Sequence, residues 1–150
     1  MQTTISQYGA ASFPGMLDGI GSKQVRSYAA EESIPLAYPV KLGTNPEKEV
    51  LKATAAAGAI GFALHDQARN QTHTGNVYYA PKTAVSVLTQ GRMWVPTSAP
   101  VVAGAVANLT VANGKLTDAA VAAGIEAFTK ISVTFLTATT AAGLALVEIK

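Results

Sequence analysis

Two histidines are the side chains of this sequence most suited to proton transfer or metal binding near neutral pH. His65 and His73 lie eight residues apart and are separated by polar residues of the segment 66–76. That spacing does not place both rings on one helical face, as common zinc motifs require. Asp66 could orient His65, but no serine or cysteine stands in a nucleophile motif. The pattern predicts two loop histidines and no metal site, with an enzyme using His65 and a carboxylate as an open alternative.

The carboxylates form no recognisable catalytic arrangement either. The close sets among the nine acidic residues are Glu31-Glu32 and Glu47/Glu49, beside prolines in predicted turns. Carboxylates in such positions are expected to face solvent and not to form a general acid/base pair. The segment 58–61 lacks the spacing of a dinucleotide fingerprint and the lysine of a P-loop. Because the chain also has no cysteine for thiolate chemistry, we expect no catalytic residues, no cofactor and no enzyme activity.

The stretch SVLTQGRMWV, residues 86–95, contains the remaining candidate for chemistry, Arg92. Apolar and polar residues alternate here, as in a half-buried strand, and Gly91 interrupts the alternation. A glycine inside a strand commonly marks a bulge or a bend. Arg92 and Trp94 then share one face, with no partner acid or base in a recognisable motif nearby. The stretch predicts a bent structural strand and not an active-site strand.

Composition favours a protein that works by contact with other proteins. Apolar residues make up 49% of the chain, 28 of the 150 residues are alanine, and charged residues make up only 13%. A surface of small and uncharged residues loses little hydration when it is covered. The eleven basic residues are scattered along the sequence and form no cluster of the kind that binds nucleic-acid phosphates. The longest run of apolar and weakly polar residues, 53–64, is shorter than the roughly 20 residues that a membrane span needs.

Hydrophobic periodicity predicts an all-β fold, a small β-sandwich or β-barrel of about seven short strands with at most one short helix. The Asn113-Gly114 pair between apolar residues predicts a hairpin with a type I′ turn. Residues 50–57 are ambiguous, and 118–128 are expected to form a short helix or a loop. Pro39 predicts an edge position or a bulge for its strand. The predicted strands are 36–42, 59–64, 85–95, 129–137 and 144–149, the last of them interior.

The apolar residues before residue 25 follow no regular spacing. This segment contains glycines and isolated large apolar side chains, which predicts an extended arm over residues 1–24 and a single β-rich domain over residues 25–150. A loosely packed terminus is the alternative. If the arm reaches another molecule, its anchors are the large side chains Ile5, Tyr8, Phe13 and Met16.

The order of short motifs along the chain resembles that of the structural cement (head decoration) proteins of tailed bacteriophages. The likeness spans nearly the full length, and its motifs are turns and strands without catalytic signatures. The segments that carry it are Phe13-Pro14-Gly15-Met16, 34–40 (IPLAYPV), 61–64 (GFAL), 87–95 (VLTQGRMWV), 113–116 (NGKL) and 142–147 (AGLALV).

The resemblance implies a small β-rich protein on the outer surface of the capsid in the virion. It would bind the assembled head as a homo-oligomer, a dimer or trimer, and stabilise it by bridging major capsid protein subunits. We expect no nucleic-acid partner and no membrane partner. The alternative is a β-domain that binds carbohydrate or a host-cell surface, with Tyr78, Tyr79 and Trp94 as stacking residues and the 66–76 loop lining the site.

Overall fold

The computed structural model describes residues 13–18, 21–65, 70–71 and 77–150. These residues are nearly all β, as predicted, and the 3₁₀ turn Ala56–Gly58 is their single helical element. Thirteen strands are present in the described residues, more than the seven expected, because several strands of two or three residues carry too little sequence pattern to be recognised. They are β1 (Gln24–Ala30), β2 (Ile34–Pro35), β3 (Pro39–Leu42), β4 (Glu49–Lys52), β5 (Gly61–Ala63), β6 (Asn70–Gln71), β7 (Val77–Tyr79), β8 (Ala84–Pro96), β9 (Asn108–Thr110), β10 (Lys115–Thr117), β11 (Ile125–Ala127), β12 (Val133–Phe135) and β13 (Leu144–Ile149).

Five strands close into a small barrel in the order β1-β4-β3-β5-β8, and β8 pairs back to β1. The β1–β4 pair is parallel, and the other pairs of the barrel are antiparallel. Closure leaves none of these five strands with a fully open edge, which removes a common route to aggregation. A first core draws on every barrel strand through the buried residues Ala30, Val40, Val50, Ala63, Val85 and Val87.

Strand β8 extends past the barrel and carries the rest of the main sheet. It is 13 residues long, and its second half pairs with β13, which in turn pairs with β12. Between the halves, Gln24 of β1 faces Gln90 while Val25 faces Leu88, so that Thr89 is the extra residue of a bulge. Gly91 follows with φ +137°. The interruption predicted at Gly91 takes the form of a bulge at Thr89, two residues earlier, and β13 is interior as predicted.

A second core lies against the barrel wall, so β5, and β8 at Val87 and Leu88, are buried on both faces. Val87 belongs to the first core and Leu88 to the second; likewise Ala63 belongs to the first and Phe62 to the second. The second core also takes Leu109 and other residues of β9, β10, β12 and β13. Strands buried on both faces read as continuous apolar runs, which explains why β5 shows no alternation.

The Asn113-Gly114 hairpin forms, but its turn differs from the prediction. Strands β9 and β10 pair through a four-residue loop, 111–114, in which the Gly114 amide donates to the Thr110 carbonyl at 3.0 Å. Gly114 has φ +70°, whereas Asn113 is not in the positive-φ region that a type I′ turn requires at both positions. The loop is therefore longer than the two-residue turn that the Asn-Gly pair predicts.

The predicted strand 36–42 is interrupted at Ala37, which adopts φ +59°. Residues before it form β2, which pairs with β7, and residues after it form β3. The edge position predicted from Pro39 is wrong, because β3 lies between β4 and β5. Pro39 is tolerated there as the first residue of its strand.

The alanine-rich segments divide between turns and short strands. Residues 50–57 supply the end of β4 and the start of the 3₁₀ turn. Residues 118–124 form a loop, one of the two alternatives for the segment 118–128, but residues 125–127 form β11, a strand that was not predicted. No helix within the described residues is long and apolar enough to cross a membrane.

Replacing Gly114 by alanine tests the packing of the hairpin on the barrel. A left-handed residue with a side chain costs about 1–2 kcal/mol, and a methyl group at Gly114 would also overlap the Tyr38 ring. We expect Gly114→Ala to lower the free energy of unfolding by about 2–4 kcal/mol in chemical denaturation.

Gly104→Ala is the matched control, since Gly104 has φ +87° and open space around its α-carbon. It should cost only the backbone strain, about 1 kcal/mol. Equal losses in the two variants would show that the hairpin does not pack on Tyr38 as described.

Candidate functional site

The structure gives His65 a packing role. Its ring lies edge-on to that of Phe13, with centroids 4.5 Å apart, and its backbone amide donates to the Gly15 carbonyl at 2.8 Å. Asp66 and His73 lie outside the described residues. Among the residues that are described, no three acidic or histidine side chains come close enough together to hold a metal ion.

The paired carboxylates fix turns. Glu31 accepts hydrogen bonds from the Thr44 hydroxyl at 2.6 Å and the Thr44 amide at 2.9 Å. Glu32 accepts from the Lys52 amide at 2.9 Å, and Glu49 from the Asn45 amide at 3.1 Å. The hydroxyl and amide of Thr44 together hold the pKa of the Glu31 carboxyl below its ordinary value. These contacts assign the carboxylates to the barrel's loops and not to an acid/base pair.

Arg92 is an outward-facing residue of a structural strand, as the sequence predicts. It stands opposite Glu148 in the β8–β13 pair, with 3.8 Å between Nε and a carboxylate oxygen. Glu148 also lies 3.3 Å from the Lys150 ammonium group. Trp94 is half-buried on the same strand, opposite Leu146. The arginine is thus part of a cross-strand ion pair, which contributes modestly to stability.

The aromatic platform of the carbohydrate alternative is not assembled. Tyr79 is fully buried and donates its hydroxyl hydrogen to the Leu64 carbonyl. It belongs to the first core and has no face on which a sugar could stack. Of the 66–76 loop, only the backbone of β6 is described. The prediction that Tyr79 is a stacking residue is therefore wrong.

Part of the predicted N-terminal arm lies along β8. The Gly15 amide donates to the Trp94 carbonyl, and the Trp94 amide donates to the Met16 carbonyl, each at 2.9 Å. Leu17 forms an antiparallel bridge with Met93. Met16 is half-buried, and Phe13 keeps 38% of its surface exposed although it packs on His65. Ile5 and Tyr8 lie outside the described residues.

One end of the molecule exposes small apolar residues and almost no charge. Two neighbouring loops, 102–106 and 119–123, contain only alanine, glycine and valine, and we call their exposed residues the uncharged surface. Its valines are the most exposed large apolar side chains described, with Val102 at 64%, Val106 at 65% and Val121 at 62%. Contiguous exposed apolar patches mark sites of interaction, and these valines make the two loops a candidate for one.

Hydrogen bonds hold the two loops of the uncharged surface in place. The Val102 amide donates to the Asp118 carboxylate at 3.0 Å, and the Asn108 side-chain amide donates to the Ala119 carbonyl at 2.8 Å. Asp118 is the charged residue nearest in sequence to these loops, and its carboxylate is engaged by one of them. The surface is therefore preorganised, which lowers the entropic cost of covering it.

The uncharged surface was not identified from the sequence, although a signal for it exists. Residues 93–114 and 131–147 contain no Asp, Glu, Lys or Arg. A run without charge can be buried strand or exposed contact surface, and only the fold separates the two. Here β8 and β9 supply the buried part, and the loop between them supplies the exposed part.

Replacing Thr44 by valine tests the assignment of Glu31 as a turn-fixing group. The variant removes one donor, so the pKa of Glu31 should rise toward its ordinary value in an NMR titration. Because the folded pKa lies below the unfolded one, the Thr44 contact stabilises the fold above the unfolded pKa, and this stabilisation is lost as the pH falls through the folded pKa. Thr44→Val should therefore lose less stability on acidification than the wild type.

Thr140→Val is the control, because Thr140 is exposed on another loop. It should leave both the Glu31 titration and the acid dependence unchanged. An unaltered pKa of Glu31 in Thr44→Val would contradict the assignment.

Comparison with known proteins points to one family. No curated protein matches the chain in sequence. A chain of the solved structure "The capsid of Myoviridae Phage XM1" is similar in fold, with a TM-score of 0.68 and 16% identity over 99% of this chain and 96% of that chain. Residues 1–150 match the family described as structural cement protein (E217 gp24/Pam3 gp6). The chain therefore belongs to the phage structural cement proteins, a family with a structural role in the capsid.

Proposed function

We propose that this protein binds the outer surface of the assembled phage head and stabilises it by bridging neighbouring major capsid protein subunits, without catalysing a reaction. The match of the whole chain to the cement family carries the proposal. The fold supports it, because Glu31, Glu32, Glu49 and Arg92 serve turns and strand pairs. The low charge of the chain, 13% of its residues, suits a surface that is covered permanently.

Such a protein would act by mass action. A ligand that binds the assembled lattice and not its separated subunits stabilises the lattice by RT ln(1 + [L]/Kd) for each site. At a free concentration of 100 times Kd, each copy contributes about 2.7 kcal/mol. A standard interface of roughly 1,200–2,000 Å² is sufficient for each contact. Many modest contacts, repeated over a head, then give a large total.

We assign the uncharged surface to contact between copies of this chain. A symmetric interface brings identical residues together near the axis, and like charges there would repel one another. Val102, Val106 and Val121 avoid this repulsion and supply apolar area. The proposed assembly is a dimer or trimer.

The N-terminal residues are proposed as a second contact. The proposed arm is residues 1–24 and the proposed body residues 25–150, with Ile5, Tyr8, Phe13 and Met16 as contacts to a capsid subunit or a neighbouring copy. The part of the arm at residues 15–18 is anchored on this chain's own β8. The exposed part of Phe13 supports its role as a contact. An extended arm could add a strand to a neighbouring sheet edge. We do not retain the carbohydrate-binding alternative, because Tyr79 is buried.

Mixing the purified protein with expanded heads that lack it tests the function directly. We expect saturable co-sedimentation with the expanded heads, density on the outer surface in electron cryomicroscopy, and contact of each bound oligomer with more than one capsid subunit. Unexpanded heads are the control and should bind less. Protein that stays in the supernatant with expanded heads, or density confined to one subunit, would contradict the proposal.

Introducing a charge into the uncharged surface tests the oligomer. Val106→Asp places like charges together across the proposed axis, so we expect the dimer or trimer to dissociate at micromolar concentration in sedimentation velocity. Thermal stability should change little, because Val106 is 65% exposed.

Val25→Asp is the matched control, since Val25 is 45% exposed on β1. It should leave the oligomer intact. If Val106→Asp has the oligomeric state of the wild type, or if the wild type is a monomer, this surface does not join copies.

A further inference from the structure

Two shallow grooves meet at Lys130, Ile131 and Lys150. One has a volume of about 390 Å³ and is lined by residues including Arg26, Leu42, Lys130, Ile131 and Lys150. The other, of about 420 Å³, runs on toward Val106 and shares Lys130, Ile131 and Lys150 with the first. We call the combined depression the basic groove. Its shared wall is fixed by two hydrogen bonds between the backbones of Ser132 and Lys150, at 2.9 and 3.0 Å.

The charged side chains that line the basic groove are all basic. They belong to Arg26, Lys130 and Lys150, and no aspartate or glutamate lines the groove among the described residues. Lys150 lies 3.3 Å from Glu148, which lines a neighbouring depression. Arg26 and Lys130 have no ion-pair partner within 4 Å in the part of the chain that the structure describes. Two cations therefore stand uncompensated beside apolar side chains, an arrangement that complements a carboxylate-bearing segment.

The chain's own N-terminus is a poor complement for this groove. Residues 1–12, MQTTISQYGAAS, contain no aspartate and no glutamate. These twelve residues, of this copy or of a second one, offer no carboxylate side chain to Arg26 and Lys130. In the proposed function, the other protein in contact with this chain is the capsid subunit.

The geometry points to the basic groove as the seat of an extended, acidic segment of a capsid subunit, with carboxylates on Arg26 and Lys130 and apolar side chains on Leu42 and Ile131. This inference rests on the proposed function and adds the chemistry of the partner. The four residues named all line the part of the groove with a volume of about 390 Å³, which leaves Val106, in the other part, to the contact between copies. Because both cations are exposed, their main effects are on orientation, association rate and salt dependence.

The double variant Arg26→Gln with Lys130→Gln tests the groove through binding isotherms on expanded heads that lack the protein. Exposed ion pairs contribute modestly, so we expect affinity to fall about 5- to 30-fold and its salt dependence to weaken. Lys48→Gln with Lys115→Gln is the control, with the same loss of charge on exposed residues outside the groove. It should change affinity less than about twofold. Circular dichroism should show that both variants remain folded.

Zero-length carbodiimide coupling, which joins an amine to a carboxylate in contact with it, provides a second readout. We expect mass spectrometry to find Lys130 joined to an aspartate or glutamate of the capsid subunit. If the wild type binds heads but the groove variant behaves like the control, and Lys130 gives no such product, the groove inference is wrong and the proposed function stands. A wild type that does not bind heads overturns both.

Discussion

Strand β8 is the element on which the rest of the structure depends. Its first half closes the barrel through β1 and β5, and its second half carries β13 and the N-terminal residues 15–18. The bulge at Thr89 and the left-handed Gly91 let one strand serve both parts. Because Val87 and Leu88 enter different cores, a shift of register by one residue would exchange the two sets of core side chains. The pairing of β8 is therefore strongly specified.

Burial on both faces of β8 at Val87 and Leu88 also shapes the surface. The two cores take up most of the large apolar residues, while two loops outside them, 102–106 and 119–123, consist of alanine, glycine and valine. The few charges that remain fix turns or pair across strands, as Glu31 and Arg92 do. Two surface features remain as candidates for function. One is the uncharged surface, held in place by Asp118 and Asn108, and the other is the groove in which Arg26 and Lys130 have no ion-pair partner among the described residues. Contact with other proteins is the activity that such surfaces support.

Sequence patterns predicted the elements with a clear period and missed those without one. The β13 strand and the alternation of Val133 and Phe135 follow from side chains on one buried face. Barrel closure could not be predicted, because it depends on the β1–β8 and β1–β4 pairings between residues distant in sequence. Pro39 predicted an edge position, because proline has no backbone N–H to donate across a sheet. The first position of an interior strand accommodates this missing donor as well. The uncharged surface and the basic groove likewise arise from loops that only the folded chain brings together.

The rupture temperature of expanded heads, measured with and without this protein, tests the central claim most directly. Stabilisation by contact predicts that the temperature rises as sites fill and stops rising when they are full. Heads at full occupancy that rupture at the temperature of bare heads would contradict the claim.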